Sequence, residues 1–473
     1  MNRREFLKAS LASGAALAVG PNTLNRIIPP SPAPVTRPAD FSPAFWKLAT
    51  LPVMGWNSWD EFGINVTEEI FLATGQYMQK KLLPFGYRYA CIDGGWYFQL
   101  EQPQKNPPQN KNQKTKWKRP PASMDAYGRY IPSPDKYPSA INGAGFKPIA
   151  DKIHAMGLKF GIHTMRGIPR EAYDKNTPIE GTKFFARDAA DLLNLCTWSE
   201  DNYGVKTNTA GQAYYDSVIR MYASWGLDFL KNDDMSRPYR QDEIAMMRSA
   251  LDRLAPNIVY SLSPGETPIT SGSDVIYQAN MWRITNDFWD NWENLNHTFD
   301  VLAYWKGFGG LGHWPDCDML CLGQVRKGMD GARHVYFTKA EQRTHMTLWS
   351  IAPSPLILGC DLLEMDDWTF SLIANPEVIA INQDPAGRQG SRVVQDGFVE
   401  LWAKDLYDGS KAVTVFNRGQ RDADFTIQFS DLNLMGPQKT RNIWEYKDVG
   451  IFADSMSVSV RLHGVEFFKI TPI

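Results

Sequence analysis

Eight short apolar runs, each ending in polar or charged residues, alternate with segments of helical period. The runs cover residues 53–59, 87–93, 158–163, 229–233, 258–263, 279–283, 312–316 and 355–359. Helical patterns lie between them, among them residues 67–83, 146–156, 241–254 and 339–351. Thr338 precedes the last of these, and Glu341 falls at its third position, which completes a capping box. A strand followed by a helix, repeated, predicts a parallel sheet with helical crossovers. Periodicity alone does not separate a closed barrel from an open doubly wound sheet. The count of eight favours the barrel, whose chemistry sits at the C-terminal ends of its strands.

The stretch Phe229-Leu-Lys-Asn-Asp-Asp-Met235 has this character. It follows a helical segment closed by Gly226, runs apolar, and stops at Lys231, Asp233 and Asp234. A carboxylate beside an ammonium is held ionised at neutral pH, which suits attack on a glycosidic carbon. Taken alone, the stretch is better explained as a strand end with solvated acids.

After Asp384-Pro385 the texture changes. Residues 398–403, 411–416, 423–429, 441–444, 457–461 and 464–470 read as short alternating strands with Asp, Gly and Asn turns, which predicts an antiparallel β-sandwich. A chain of 473 residues is too long for one ordinary core. The expected class is therefore α/β, a (β/α)8 TIM barrel over residues 45–388 followed by a C-terminal antiparallel β-sandwich over 389–473. Two insertions interrupt the barrel pattern. Residues 102–121 carry six Lys or Arg, no acid and five Pro and predict an exposed loop. Residues 166–214 contain a short predicted helix at 188–195, and either insertion can shape a pocket or simply decorate the surface.

At the N-terminus, Asn2-Arg3-Arg4-Glu5-Phe6-Leu7-Lys8 is a twin-arginine pattern. An apolar run over 9–20 and the small-residue site Ala16-Leu17-Ala18 follow it. Residues 1–20 thus read as an export signal, too short to span a bilayer, and the product is expected to be periplasmic or extracellular. Residues 21–44 read as a Pro-rich linker. The net charge of −2 gives no basis for a nucleic-acid partner or, once the signal is removed, for a membrane. Five cysteines without metal-ligand spacing predict buried free thiols, and no metal or cofactor is expected. The 16 Trp and 19 Tyr suit stacking on sugars as well as packing.

Hydrolysis of a glycoside with retention needs two carboxyl groups about 5–5.5 Å apart, one ionised and one protonated. Asp93, Asp233, Asp234, Asp287, Asp290, Asp316 and Asp318 all lie near predicted strand ends, and spacing does not choose among them.

Several motifs narrow the choice. Met54-Gly-Trp-Asn-Ser-Trp59, Cys91-Ile-Asp93, Leu230-Lys-Asn-Asp233, Trp282-Arg-Ile-Thr-Asn-Asp287, Trp314-Pro-Asp-Cys-Asp-Met319, Leu348-Trp-Ser-Ile-Ala-Pro-Ser-Pro-Leu356 and Ile379-Ala-Ile-Asn-Gln-Asp-Pro385 occur in this order. Together they resemble the retaining α-galactosidases of glycoside hydrolase family 27, across residues 51–390. The resemblance implies a barrel, a C-terminal β-sandwich and an oligosaccharide or polysaccharide substrate. It implies Asp233 as nucleophile and Asp287 as acid/base. It further implies Lys231 and Arg283 as ligands of ring hydroxyls, Asp93 as a sugar ligand, Trp56 as a pocket-wall aromatic and Asp318 as a pocket carboxylate. Lys231 is expected to lower the pKa of Asp233. Asp287, four residues after Arg283, needs burial or the charge of Asp233 to hold a proton.

The departures bear on the sugar. The family usually has two adjacent aspartates at the second strand end, where this chain has Asp93-Gly94. It usually has a tyrosine at the third, where this chain has His163, and often a glutamate at the fifth, where this chain has Ser263. The cysteine that commonly follows the nucleophile is Met235, so a disulfide common in the family is not expected. His163 reads either as a sugar ligand or as a core histidine, and Ser263 as a substrate contact. Asp234 is expected to orient loops, His345 to pack and His313 to hydrogen-bond. Glu266 is an additional acid near the site with little to support it. A terminal α-D-galactosyl residue is the first expectation. β-L-Arabinopyranoside, α-N-acetylgalactosaminide and α-1,6-glucan stay open, as does a non-catalytic carbohydrate-binding protein, which would be expected to lose one of the two acids.

Overall fold

The computed structural model describes residues 42–100 and 120–473. Residues 1–41 and 101–119, which include the expected signal, most of the expected linker and nearly all of the 102–121 insertion, lie outside the described residues.

Eight parallel strands form the barrel: β1 (Met54–Asn57), β2 (Tyr89–Ile92), β3 (Lys159–Met165), β4 (Phe229–Asp233), β5 (Val259–Leu262), β6 (Met281–Arg283), β7 (Trp314–Asp316) and β8 (Leu356–Leu358). Their hydrogen-bonded order is β7-β6-β5-β4-β3-β2-β1-β8. The ring closes just beyond β7, where Leu320 bridges Leu358 in parallel and donates its N–H to the Ile357 carbonyl at 2.7 Å.

Side chains alternate between the two faces of a strand, and here the odd-numbered positions face inward on every strand that contributes to the cluster except β7, where the even-numbered Trp314 does. Val53, Tyr89, Cys91, Phe229, Val259, Met281, Trp314 and Ile357 fill one buried interior cluster. The 3-10 helix Ala44–Ala49 closes the base of the barrel, with Ala49 in the same cluster and its carbonyl accepting from Trp314 Nε1 at 2.8 Å. Even-numbered Trp56, Ile162, Leu230 and Trp282 join the separate cluster between strands and helices.

Helices form where an apolar stripe meets a defined end. Gln241–Leu254 buries Ile244, Met247 and Leu251 along one face. Thr209–Ser224 ends just before Gly226, whose φ of +82° disfavours other residues. Lys339–Ile351 opens on the expected capping box: Thr338 Oγ1 accepts from the Glu341 N–H at 3.2 Å, and Glu341 Oε2 accepts from the Thr338 N–H at 2.8 Å.

The helix expected at 188–195 is not found. Its first residues belong to the short helix Ala186–Ala189, and Ala190–Leu195 is a strand paired antiparallel with Asn202–Val205. Leu192, Leu193 and Leu195 are exposed, so a helix there has no core face to bury, and backbone pairing decides the outcome.

Beyond residue 390 a six-stranded antiparallel sheet runs in the order Ser391–Asp396, Val399–Asp405, Lys411–Asn417, Val465–Pro472, Gln438–Asn442, Lys447–Phe452. The pair Ala423–Gln428 and Ser455–Val460 packs against it, and Leu401, Val413, Ile427, Met456 and Phe468 share one core. The strand expected at 441–444 is shifted to Gln438–Asn442, because residues 443–446 form a turn. All five cysteines are buried and free, as the sequence predicts.

Arg418 fastens the sandwich to the barrel helix Trp292–Tyr304. It donates to Asn296 Oδ1 at 2.7 Å, to Asp300 Oδ2 at 3.0 Å and to the fully buried Glu400 Oε1 at 2.6 Å. Arg392 also pairs with Asp300 at 2.8 Å and with Glu400 at 3.3 Å, so removing Arg418 weakens the compensation of the buried Glu400 without abolishing it. Arg418→Ala is therefore expected to lower unfolding stability by about 2 kcal/mol in chemical denaturation, with the barrel still folded by circular dichroism.

Candidate active site

The inward alternation carries polar residues up to the C-terminal rim, where they line a cavity of about 550 Å³. On β4, Phe229 is in the interior cluster and Lys231 and Asp233 line the cavity above it. Asp234, one residue on, turns away with φ +61° and pairs with the buried Arg166 at 2.7 Å. Arg166 also binds Glu243 at 2.5 Å, so Asp234 ties the 166–214 insertion to the barrel, in line with the loop-orienting role expected for it.

Asp93 follows β2 and is buried. Its Oδ2 accepts from Lys231 Nζ at 2.8 Å and Asn57 Nδ2 at 2.7 Å, and its Oδ1 from the Gly94 N–H at 2.7 Å. Burial opposes ionisation, but Lys231, His163 and these donors outweigh it and hold the carboxyl below the ordinary range. Lys231 is in turn held charged: burial works against it, and Asp93, Asp318 and Asp233 more than compensate.

Asp233 receives three donors. His163 Nε2 donates to Oδ2 at 3.0 Å, and Ser263 Oγ and the Asp234 N–H donate to Oδ1 at 3.2 Å and 3.0 Å. Against burial, first His163 and then Lys231 lower its pKa. Lys231 lowers it as expected, although its hydrogen bond goes to Asp93 and His163 acts more strongly on Asp233. His163 and Ser263, expected as substrate contacts, face this carboxylate.

On the opposite side, Arg283 is buried between Asp318 Oδ2 at 2.7 Å and Asp287 Oδ1 at 3.3 Å. Asp318 also accepts from the Phe288 N–H at 2.8 Å. Burial, with Asp287 and Asp316 nearby, pushes its carboxyl up to about 7 despite Arg283 and Lys231. The Asp287 side chain is 72% exposed at the cavity wall, so the protein alone does not supply the burial expected there.

Trp56 does not line this cavity. It sits at an even position of β1, fully buried among Phe62 and Phe71, with Nε1 donating to the Cys360 carbonyl at 2.8 Å. The indole that this motif does bring to the cavity wall is Trp59, three residues later and already beyond the strand end. The same motif held the signal, because the inward face ends at Asn57 and Trp59 opens the loop-side helix. Asp60 was also missed. It lines the cavity and is 2% exposed, and its Oδ2 has no hydrogen-bond partner. Burial, then Asp318, push this carboxyl well above the ordinary range. Trp198 and Asp201 bring the 166–214 insertion to the cavity wall. Glu266 instead binds Asn286 and His297. His345 packs against Phe288 and Trp349, as expected, and His313 lies against Trp46 and Trp282.

The arrangement is a donor-rich pocket with one carboxylate fixed in its ionised form and a second carboxyl at its mouth, a constellation suited to acetal chemistry. Lys231→Met leaves Asp93 buried without its counter-charge and is expected to lower stability at pH 7 by about 3 kcal/mol. The sign follows from Asp93. A depressed folded-state pKa stabilises the fold above the ordinary value of 3.8, and that contribution is lost as pH falls below it. The difference between wild type and variant should therefore shrink as pH drops through the carboxylate range, which denaturation at several pH values will read.

Comparison with known proteins agrees with this geometry. A family profile described as "Alpha galactosidase A" matches residues 200–384, and one described as "Alpha galactosidase C-terminal beta sandwich domain" matches 396–470. The twin-arginine translocation signal profile matches residues 1–20, so the chain carries an export signal. Alpha-galactosidase 2 of Arabidopsis thaliana is 30% identical over 431 residues, covering 90% of each chain. The alpha-galactosidase of Oryza sativa subsp. japonica is 29% identical, covering 90% of this chain and 86% of the relative. Among solved structures, a GH27 β-L-arabinopyranosidase from Geobacillus stearothermophilus, in complex with arabinose, superposes with a TM-score of 0.85 at 40% identity, covering 92% of this chain and all of that one. The chain belongs to glycoside hydrolase family 27 and is a glycosidase that acts on carbohydrate.

Proposed function

We propose that this glycosidase is a retaining β-L-arabinopyranosidase, with Asp233 as nucleophile and Asp287 as acid/base. The observation that carries the choice of sugar lies at Gly94. A Cβ there would stand 3.2 Å from His163 Cε1, 3.4 Å from His163 Nδ1 and 3.6 Å from Trp59. A second carboxylate, of the kind α-galactosidases usually carry at this position, does not fit without displacing the imidazole. The pocket therefore has one hydroxyl acceptor fewer. β-L-Arabinopyranose has the ring stereochemistry of galactopyranose without the exocyclic carbon, and so one hydroxyl fewer. The 40% identity to the Geobacillus arabinopyranosidase supports the same reading.

In the proposed cycle an Asp233 oxygen attacks the anomeric carbon while Asp287 gives its proton to the leaving oxygen. Asp287 then takes a proton from water, and that water displaces Asp233 from the sugar with a second inversion. Asp93 with Lys231, and Arg283 with Asp318, present acceptors and donors to the ring hydroxyls. A cavity of about 550 Å³ is within the range of small-molecule pockets, which supports action on a terminal residue.

Two measurements test this reading. With aryl glycosides, kcat/KM for the β-L-arabinopyranoside should exceed that for the α-D-galactopyranoside by about tenfold to hundredfold, the range one misplaced carbon commands. Equal or better turnover of the galactoside overturns the choice of sugar and favours an α-galactosidase. Asp233→Gly should lower kcat by about a thousandfold or more, some 4 kcal/mol of barrier. Added azide should restore turnover as a glycosyl azide of inverted configuration. Ordinary hydrolysis by that variant overturns the assignment of the nucleophile.

A further inference from the structure

We infer that His163 is a positioning residue for Asp233, and that Gly94 is the space its ring requires. His163 lies on β3 in register with Lys231 on β4, and its side chain is 5% exposed. An ionised carboxylate only accepts, so the 3.0 Å contact to Asp233 is an Nε2–H donated to Oδ2 in either protonation state of the ring. His163 is the side-chain donor that Oδ2 has, while Oδ1 takes Ser263 and the Asp234 N–H.

The other charged groups around Asp233 are already committed. Lys231 on the same strand is bound to Asp93 beyond β2, and Arg283 on β6 is bound to Asp318. His163 has no second partner: its Nδ1 is buried without a hydrogen bond. The imidazole is thus free to serve Asp233, and it cannot retreat. The His163 backbone carbonyl is held by Trp96 Nε1 at 2.7 Å, and a Cβ at position 94 would stand 3.2 Å from Cε1 and 3.4 Å from Nδ1. Any side chain at position 94 pushes the ring by a few tenths of an ångström, which lengthens the bond to Asp233. The departures from the family at positions 94 and 163 are therefore one feature, because the histidine excludes a residue larger than glycine. A donor aimed at the ionised form makes Asp233 a stronger acid and fixes the lone pair that attacks.

This inference rests on Asp233 as nucleophile but not on the identity of the sugar. The test is the pH profile of kcat/KM on whichever aryl glycoside the wild type turns over best. In His163→Phe the acid limb should move to higher pH by about one unit or more, and kcat should fall about tenfold to hundredfold. His163→Gln, which keeps an N–H donor, should return the limb toward wild type. Gly94→Ala, which keeps the histidine, should move the limb in the same direction by less. Gly94→Ala combined with His163→Phe should shift it no further than His163→Phe alone. If the phenylalanine variant does not fold, Gly94→Ala and His163→Gln carry the test. An acid limb unmoved in these variants, with the loss confined to KM, makes His163 a sugar ligand and overturns the inference. Absence of azide rescue in Asp233→Gly would instead remove Asp233 as nucleophile, an outcome distinguishable from failure at His163.

Discussion

The pocket depends on the buried ion pair between Lys231 and Asp93. It joins the ends of β4 and β2 across β3, so it fixes two strands that do not share hydrogen bonds. A pair at this depth is poor value for stability, since apolar replacements often do as well. Its consequence is organisational. With Lys231 committed to Asp93, the carboxylate of Asp233 takes its side-chain donors from His163 on β3 and from Ser263 just beyond β5 instead. On the other wall Arg283 repeats the arrangement with Asp318. Each cation is held by one acid while the remaining polar groups face the cavity, so a sugar meets donors and acceptors that need not rearrange.

Much of this was legible in the sequence wherever one periodicity dominated. Residues 241–254 and 339–351 have an apolar stripe, and the second also has a capping box, so their limits were read correctly. Strand alternation explains why Asp233 and Lys231 reach the cavity while Asn232 points to the helix layer and Asp234 to Arg166. The same rule, applied to β1, turns Trp56 away from the cavity, and Trp59 is the indole of that motif that lines it. A motif match alone places Trp56 at the wall, whereas the inward face of β1 runs past it to Asn57. The strand at 190–195 was beyond such reading, because its leucines bury nothing and its partner lies seven or more residues away.

Contacts across the barrel were the least legible. Nothing in the order of residues tells that His163 and Ser263, about 70 and 30 positions from Asp233, converge on its two oxygens. That follows from strand register, with Met165 opposite Asp233 and Lys231 opposite Ser261. Gly94 is legible only with His163 beside it. As a departure from a family pattern it signifies a missing acid. In the folded chain it signifies room for a ring.

The two proposed catalytic carboxyls differ in their surroundings more than in their chemistry. Asp233 is enclosed, with three donors that favour its ionised form. Asp287 stands at the mouth with 72% of its side chain in solvent, and Arg283 is nearer to Asp318 than to it. A group so exposed is insulated from water only when something covers it. The sugar is the natural cover, since its leaving oxygen must lie against Asp287 once Asp233 faces the anomeric carbon. Seating the substrate would then exclude water from the side chain of Asp287. In the proposed assignment the surroundings of Asp233 are set by the fold alone, whereas those of Asp287 are completed only when substrate covers it.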